Sequence, residues 1–242
     1  MNRSILAAAT LLLAAAAAAG PVEIEHGSGA LKFSYQWPAE VASVPALERK
    51  FRAELSKAYH EALANGLEDQ KLYHAQGRKG VEDFYSMTWI SAGETSRLLS
   101  LQSELSTFTG GAHPNTSYDA LIWDRKLNRK TSMDSLLGAP GKLAVVTRPA
   151  YCRALDSERS KRRRGEKLDL PEFNACPKYS DLAIAPVDSN KNGRFDAIAF
   201  VASPYLAGPY VEGEYAIKVP VSAKLIAALK PEFRASFEAQ RQ

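Results

Sequence analysis

Hydrophobic and polar positions alternate with a period of two in several segments of the chain, which is typical of strands with one buried face. The first such segment runs from Leu31 to Trp37, and Pro38 ends it. Within it, four apolar side chains alternate with Lys, Ser and Gln. The patterns predict further strands at 82–91, 97–107, 118–124, 183–187, 194–201 and 215–219.

A helical period follows the first strand. Apolar residues recur at four-residue spacing from Leu47 to Leu63, with charged residues on the other faces. The pattern predicts a helix that begins at Pro45, and Asn65–Gly66 predicts its end. The order of strand, helix and strand pair favours an antiparallel α+β unit over a βαβ repeat.

Two further helices are expected in the second half of the chain. One is predicted at 141–156, with Pro149 as an interruption or as its true start. The other is a short apolar helix at 224–229, and the tail after Pro231 is expected to be a polar helix or frayed. The predicted fold is α+β, with antiparallel sheets each packed against one or two helices.

The first residues have the pattern of an export signal. Arg3 precedes an apolar run from Ile5 to Ala19, and Gly20 and Pro21 end it. This run predicts a signal peptide over residues 1–20, because it is too short and too alanine-rich to span a bilayer. An uncleaved anchor is the alternative. The signal peptide predicts a periplasmic or secreted protein. The double glycine at 110–111 is the best candidate for a boundary and predicts two consecutive subdomains, at 21–108 and 109–242.

The composition is that of a folded protein: 45% of the 242 residues are hydrophobic and 24% are charged. The formal net charge is +4, and the run Lys161–Arg164 is its densest part. In an exported protein this run argues against nucleic acid as a partner and is expected to be a solvated face. Contact with anionic envelope polymers is the alternative.

The only cysteines are Cys152 and Cys176. An even pair in an oxidising compartment predicts a disulfide, which is worth about 3 kcal/mol for a loop of this length. Neither a tetrahedral zinc site nor a catalytic thiol fits, because no histidine lies near either cysteine.

The segment Phe108–Asp124 carries a Gly-Gly-Ala-His loop, a strand with an acidic end and a turn. In this pattern the chain resembles the extracytoplasmic domain of unknown function of RsiV-type lysozyme-sensing anti-sigma factors and many secreted bacterial proteins. The Pro-Tyr pairs in 203–213 support the resemblance. The order of elements in 24–105 is similar to that of a second domain of unknown function. This second domain commonly precedes the RsiV-type domain and is also found ahead of a peptidoglycan deacetylase catalytic domain.

The resemblance implies an α+β fold and, in the sensor members, binding of lysozyme. We expect this chain to lack the transmembrane helix and the sigma-binding segment of a sensor, and also a deacetylase domain. Signal transduction is therefore not expected here, whereas a binding surface is.

Two segments are candidates for that surface. Glycine pairs permit positive φ and close approach of the backbone, and a following His-Pro pair stiffens the chain. Tyrosines on proline-stiffened loops offer contact area at low entropic cost. The alternative is that these residues form a turn and cover the edge of the core. The predicted binding residues are Gly110, Gly111, Ala112, His113, Pro204, Tyr205, Pro209 and Tyr210.

A catalytic role for His113 would need a positioned carboxylate and a nucleophile. Asp119 and Asp124 lie close in sequence, but no nucleophile motif accompanies them. The remaining histidines, His26, His60 and His74, form no zinc-binding pair. No catalytic residue is therefore predicted.

The segment 188–196 partly fits a calcium loop. Asp188, Asn190, Asn192 and Asp196 stand at ligand positions, but Ala199 occupies the position of the bidentate glutamate. Asn192–Gly193 equally predicts a plain hairpin turn. Calcium is the only cofactor considered, at a weak site.

The sequence thus predicts an exported, non-enzymatic binding protein of the bacterial cell envelope, whose partner is a lysozyme-like protein or a cell-wall glycan. An enzyme acting on peptidoglycan or another envelope polymer, with His113 as acid/base, is the alternative. A purely structural envelope protein is the third class.

Overall fold

The computed structural model describes residues 22–240, and the predicted signal peptide lies outside them. Two sheets and four α-helices build this part of the chain. The strands are β1 (Val22–Gly27), β2 (Leu31–Trp37), β3 (Asp83–Glu94), β4 (Leu98–Phe108), β5 (Asn115–Asp124), β6 (Arg129–Thr131), β7 (Ala183–Val187), β8 (Ala197–Ala202) and β9 (Tyr215–Pro220). The helices are α1 (Pro45–Ala75), α2 (Met133–Leu136), α3 (Lys142–Arg162) and α4 (Ala223–Ala228). The predicted α+β fold is confirmed.

The larger sheet has six strands in the order β1-β2-β3-β4-β5-β6. One face of it packs against α1 around the large side chains that the period of two predicted, among them Phe33, Trp37 and Leu101. From α1, Leu47 and Phe51 are fully buried against this face. Burial of these aromatic and aliphatic side chains holds the helix to the sheet.

The connection from β2 to β3 differs from the expected arrangement. β2 pairs with β3 in parallel, with Leu31 opposite Asp83, while the other strand pairs of this sheet are antiparallel. Because parallel neighbours need a crossover connection, α1 is the crossover of a βαβ unit. The expectation of an antiparallel unit here is wrong, since element order alone does not show which strands become neighbours.

The helix α1 also extends well beyond its predicted end, to Ala75. Asn65–Gly66 does not terminate it, because Gly66 is used for close packing instead. A Cβ at Gly66 would lie 2.7 Å from the carbonyl oxygen of Ala30. The glycine therefore lets the helix approach the backbone that leads into β2.

The smaller sheet, β7-β8-β9, lies between the larger sheet and α3. Small residues form the contact between the sheets, with Ala120 of β5 packed against Ala185, Ala197 and Ala199. Larger residues of the central strand β8, such as Phe200, face α3. All six residues of β8 are accordingly buried.

The predicted boundary between residues 108 and 109 falls inside the larger sheet. β5 pairs with β4 from Asn115 to Asp124, so the segment 109–114 is a hairpin connection within one sheet. The second sheet then packs on the free face of the first. The division into two subdomains stays a prediction.

The predicted helix around Pro149 is continuous from Lys142 to Arg162, so Pro149 neither interrupts nor begins it. As far as Gln240, where the described residues end, the tail after Pro231 is neither polar throughout nor frayed, and the expectation is wrong for this part. It forms a 3₁₀ turn over Pro231–Ser236, and Phe233 and Phe237 are buried in the core around α3. Among residues 22–240, no helix has the length and apolar character that a membrane span requires.

The contact between Gly66 and Ala30 yields a prediction. Gly66→Ala should lower the free energy of unfolding by about 1–2 kcal/mol, because the overpacking cost exceeds the gain in helix propensity. Urea denaturation measures the change. Asn65→Ala, at the exposed neighbouring position, is the control and should be neutral or slightly stabilising. A Gly66→Ala protein as stable as the wild type would contradict the close-packing role.

Candidate functional site

Two of the segments singled out in the sequence meet at the surface. The rings of His113 and Tyr210 stack with centroids 3.7 Å apart and an interplanar angle of 14°. Tyr205 completes the group, with its centroid 5.7 Å from that of Tyr210. We call His113, Tyr205 and Tyr210 the aromatic site. Its members come from the β4–β5 hairpin and from the connection between β8 and β9.

The β4–β5 hairpin presents His113 in a defined orientation. Gly110 and Gly111 adopt φ angles of 98° and 103°, which side chains rarely allow. His113 Nδ1 lies 2.9 Å from the carbonyl oxygen of Pro114. Because a carbonyl oxygen can only accept, the hydrogen bond places the proton on Nδ1. His113 Nε2 lies 3.3 Å from the Tyr205 hydroxyl, within hydrogen-bond distance.

The segment 203–211 turns sharply to expose its aromatic rings. Tyr205 has a φ of 71°, and its N–H donates to the carbonyl oxygen of Gly208 at 3.1 Å. Its side chain is 54% exposed, and that of Val211 is 89% exposed. Exposed apolar side chains clustered in this way mark interaction surfaces more often than isolated ones do.

Two arginines with buried side chains, Arg159 of α3 and Arg163 directly after it, hold this segment in place. Arg159 Nε and Arg163 Nη2 both donate to the carbonyl oxygen of Ala207, at 2.9 and 3.1 Å. Arg163 also makes a two-pronged ion pair with Glu212, with both N–O distances at 2.9 Å. The hydroxyl of Tyr215 donates to the same carboxylate. The backbone of the aromatic site is thus tied to a helix.

Burial alone would raise the pKa of Glu212, but hydrogen bonds from Arg163 and Tyr215 outweigh it and hold that pKa below its ordinary value of 4.5. The carboxylate is therefore charged in the folded protein.

The cationic run Lys161–Arg164 is only partly the solvated face that was expected. Lys161 is solvated, but the Arg163 side chain is only 5% exposed and Arg162 donates to the carbonyl oxygens of Glu212 and Glu214.

The predicted disulfide is present and supports the same region. Cys152 in α3 and Cys176 are joined with their Cα atoms 5.7 Å apart. Arg148 donates to the carbonyl oxygen of Cys176, and Arg159 donates to that of Ala175. The irregular segment before β7 is therefore fixed to α3 by a covalent bond and by arginine side chains.

A groove of about 210 Å³ lies between β3–β5 and β8–β9, and its residue Tyr118 contacts Ser203 of the segment that carries Tyr205. Glu104, Tyr118 and Glu214 line it, and we call it the carboxylate groove. The hydroxyl of Tyr118 donates to Glu104 at 3.2 Å, and its backbone N–H donates to Ser203 Oγ at 3.1 Å. Burial, with the charges of Glu214 and Glu104, raises the pKa of Tyr118.

Asp119 and Asp124, the carboxylates close to His113 in sequence, form no hydrogen bond with it. Asp124 is at the far end of β5 and forms a buried ion pair with Arg97, with N–O distances of 2.8 and 2.9 Å. Asp119 accepts a hydrogen bond from the N–H of Ala120. Within residues 22–240, the hydrogen bonds of His113 are those to Pro114 and Tyr205. The arrangement can bind a ligand by stacking, but it does not position His113 between a carboxylate and a nucleophile.

The segment 188–196 forms the connection between β7 and β8. The carboxylate of Asp188 accepts hydrogen bonds from two backbone N–H groups of the same turn, and that of Asp196 accepts from Ser189 and Gln240. Asn190 and Asn192 both donate to Glu238. In the described part of the chain, no group of three or more His, Cys, Asp or Glu side chains is arranged to hold a metal ion. Calcium binding at this loop stays a prediction.

Sequence reasoning missed what positions the aromatic site. Arg163 lies inside the charge run Lys161–Arg164 and Arg159 lies just before it, and a run of this kind also fits a solvated helix, so it carried no signal of burial. Glu104 lies in β4 and Glu214 directly before β9, and neither differs in the sequence from other polar residues in or beside strands. Only the packing of the two sheets brings them together.

Comparisons with known proteins identify the fold. A family model described as Deacetylase PdaC matches residues 24–116, which is less than half of the chain and extends from β1 to the start of β5. The resemblance predicted for the N-terminal part is thereby confirmed. No curated protein matches the chain.

Two solved structures share the fold over nearly the whole chain. One is a DUF3298 family protein from Pseudomonas aeruginosa PAO1, with a TM-score of 0.60, 15% identity, and coverage of 91% of this chain and 96% of that one. The other is a DUF3298 family member from Bacteroides fragilis NCTC 9343, with a TM-score of 0.54, 15% identity, and coverage of 89% and 95%. At this identity the likeness concerns the fold, and DUF3298 is a family of unknown function.

The Arg163–Glu212 pair leads to a prediction about pH. A carboxylate with a lowered pKa stabilises the folded state above its ordinary pKa, and this contribution is lost as the pH falls through the folded value. Glu212→Gln should therefore lower the free energy of unfolding by roughly 3 kcal/mol at pH 7, because it leaves Arg163 without its charged partner. The difference from the wild type should shrink below about pH 4.5.

Chemical denaturation between pH 3 and pH 7 tests this expectation (roughly the window in which carboxylates titrate). Glu158→Gln is the matched control, because Glu158 pairs with Arg162 at the surface and such pairs are worth less than about 1 kcal/mol. A Glu212→Gln difference that did not change with pH would contradict the role of the charge.

Proposed function

We propose that this protein is an extracytoplasmic binding protein of the bacterial cell envelope, and that the aromatic site recognises a cell-wall glycan. The observation that carries the proposal is the stacked pair of His113 and Tyr210, with Tyr205 exposed beside it. The π faces of aromatic rings carry partial negative charge and attract the C–H groups on the face of a sugar ring. Glu104 and Glu214 of the carboxylate groove are candidate acceptors for hydroxyl groups of a glycan long enough to reach this groove as well.

The rigidity of the site supports binding without large rearrangement. Arg159 and Arg163 hold the segment 203–211, which we call the tyrosine segment, through the carbonyl oxygen of Ala207. The carbonyl oxygen of Pro114 orients His113. A surface that is already ordered loses little conformational entropy when a ligand binds, so more of the contact energy contributes to affinity. The disulfide fits the oxidising compartment that the predicted signal peptide implies.

A lysozyme-like protein is the second candidate partner. The carboxylate groove favours it, because Glu104, Asp119 and Glu214 line one groove and would attract a basic protein surface. Such binding should weaken strongly with added salt, whereas stacking on a neutral sugar should not. The enzymatic alternative, with His113 as acid/base acting on peptidoglycan, lacks a carboxylate in contact with His113 among the described residues.

The binding proposal is tested by co-sedimentation with purified insoluble murein. Tyr210→Ala should weaken retention by about ten-fold, since truncation of an aromatic contact residue costs on the order of 1–2 kcal/mol. Leu127→Ala is the control, because Leu127 is 51% exposed at the far end of β5 and should retain murein as the wild type does.

The outcomes separate the candidate functions. Retention on immobilised lysozyme but not on murein, lost at high salt, would replace the glycan by a basic protein. Release of soluble fragments from labelled murein that stops in His113→Ala would establish the enzyme. Murein retention that is equal for Tyr210→Ala and the wild type would contradict the role of the aromatic site.

A further inference from the structure

A second cavity lies on the opposite face of the larger sheet, where α1 crosses it. It has a volume of about 310 Å³, and we call it the α1 cavity. Its apolar walls include Leu31, Ala58, Ala62 and Tyr85. A cavity with aliphatic and aromatic walls fits an unbranched hydrocarbon stem.

Asp83 gives this cavity its chemistry. The residue is the first of β3 and is only 3% exposed. Its backbone N–H donates to the carbonyl oxygen of Ala30 at 2.9 Å. Its side-chain Oδ1, however, is buried and has no hydrogen-bond partner within residues 22–240. Asp83 is one of the residues that line the α1 cavity.

The surroundings of Asp83 provide acceptors but no cation. Glu61 and Asn65 of α1 line the same cavity, as do Thr107 and Thr109, and no lysine or arginine is among its lining residues in the described part of the chain. Burial, and the nearby negative charge of Asp69, raise the pKa of Asp83. A carboxylate in this position is more costly to ionise than one in water, and a bound cation would relieve that cost.

A donor cation with an apolar stem satisfies both parts of the cavity. Buried polar groups in native proteins almost always have partners, so an orphaned carboxylate oxygen beside a cavity indicates a missing donor. A metal ion does not fit, because the described residues hold no cluster of three or more suitable ligands. An ammonium group fits, because it donates up to three hydrogen bonds and pairs with a single carboxylate.

We propose that the α1 cavity binds a primary alkylammonium group, such as the end of a lysine side chain in a peptide, with the nitrogen hydrogen-bonded to Asp83 and the stem between Ala62 and Tyr85. Glu61 and the threonine hydroxyls are within the same cavity for the remaining N–H groups. Thr109, which lines the cavity, directly precedes the glycine pair of the β4–β5 hairpin. This inference does not rest on the proposed function, because the aromatic site contributes no residue to the cavity.

Amide chemical shifts on titration with n-butylammonium chloride test the proposal, with sodium chloride at equal ionic strength as the reference. The wild type should bind with a dissociation constant in the millimolar range, which is usual for so small a ligand. The shifts should centre on Asp83 and Ala62. Asp83→Asn should weaken binding by about ten-fold or more, because it removes the charge from the hydrogen bond.

Two further variants secure the interpretation. Glu82→Gln removes the exposed carboxylate next to Asp83 and should bind like the wild type. Ala62→Leu fills the cavity but keeps Asp83, and it should abolish binding. If Asp83→Asn fails to fold, Ala62→Leu still tests the proposal. Equal binding of n-butylammonium by Asp83→Asn and the wild type, or no binding by the wild type, would overturn the proposal.

The choice of probe separates charge from shape. Neutral n-butanol should bind at least ten-fold more weakly than n-butylammonium, and comparable binding would show that the carboxylate plays no part. Glucosamine carries an ammonium group on a bulky ring and should not enter. Binding of glucosamine without binding of n-butylammonium would replace the lysine-like ligand by an amino sugar.

Discussion

The close contact between the two sheets is the constraint on which the rest of this structure depends. Alanine side chains form it on both sides, so the backbones approach more closely than larger side chains would allow. Hydrogen bonds cross the contact, from Asp188 N–H to the Ala92 carbonyl oxygen and from Tyr118 N–H to Ser203 Oγ. Because Ser203 begins the tyrosine segment, the same contact brings that segment to the β4–β5 hairpin.

Near this contact, arginine side chains donate hydrogen bonds to backbone carbonyl groups that helices and strands satisfy elsewhere. The segments before β7 and between β8 and β9 are largely irregular, so many of their carbonyl groups have no strand or helix partner. A guanidinium offers five N–H donors in a rigid plane and can bind several such carbonyls at once. Arg159 and Arg163 both do so while buried, and Glu212 balances part of their charge.

Seven of the nine strands in the described part of the chain were predictable because alternation is a local signal, and the bounds predicted for Leu31–Trp37 are those of β2. The strands β1 and β6 were not predicted. The helix α1 was recovered at its beginning but not at its end, because Gly66 has the same appearance in a sequence whether it ends a helix or packs against a neighbour. The prediction of a polar or frayed tail is wrong for a similar reason. Phe233 and Phe237 stand alone among polar residues, and only the core around α3 gives them partners.

Residue type, spacing and a family pattern are sufficient to predict the α+β class, the disulfide pair and the candidate residues His113, Tyr205 and Tyr210. Tertiary structure decided that these three rings form one cluster, that Arg163 is buried, and that Asp83 lines a cavity without a partner. The reason is physical. Periodicity shows which face of a segment is buried, but the partners of a ring or a charge depend on long-range packing, which local patterns do not encode.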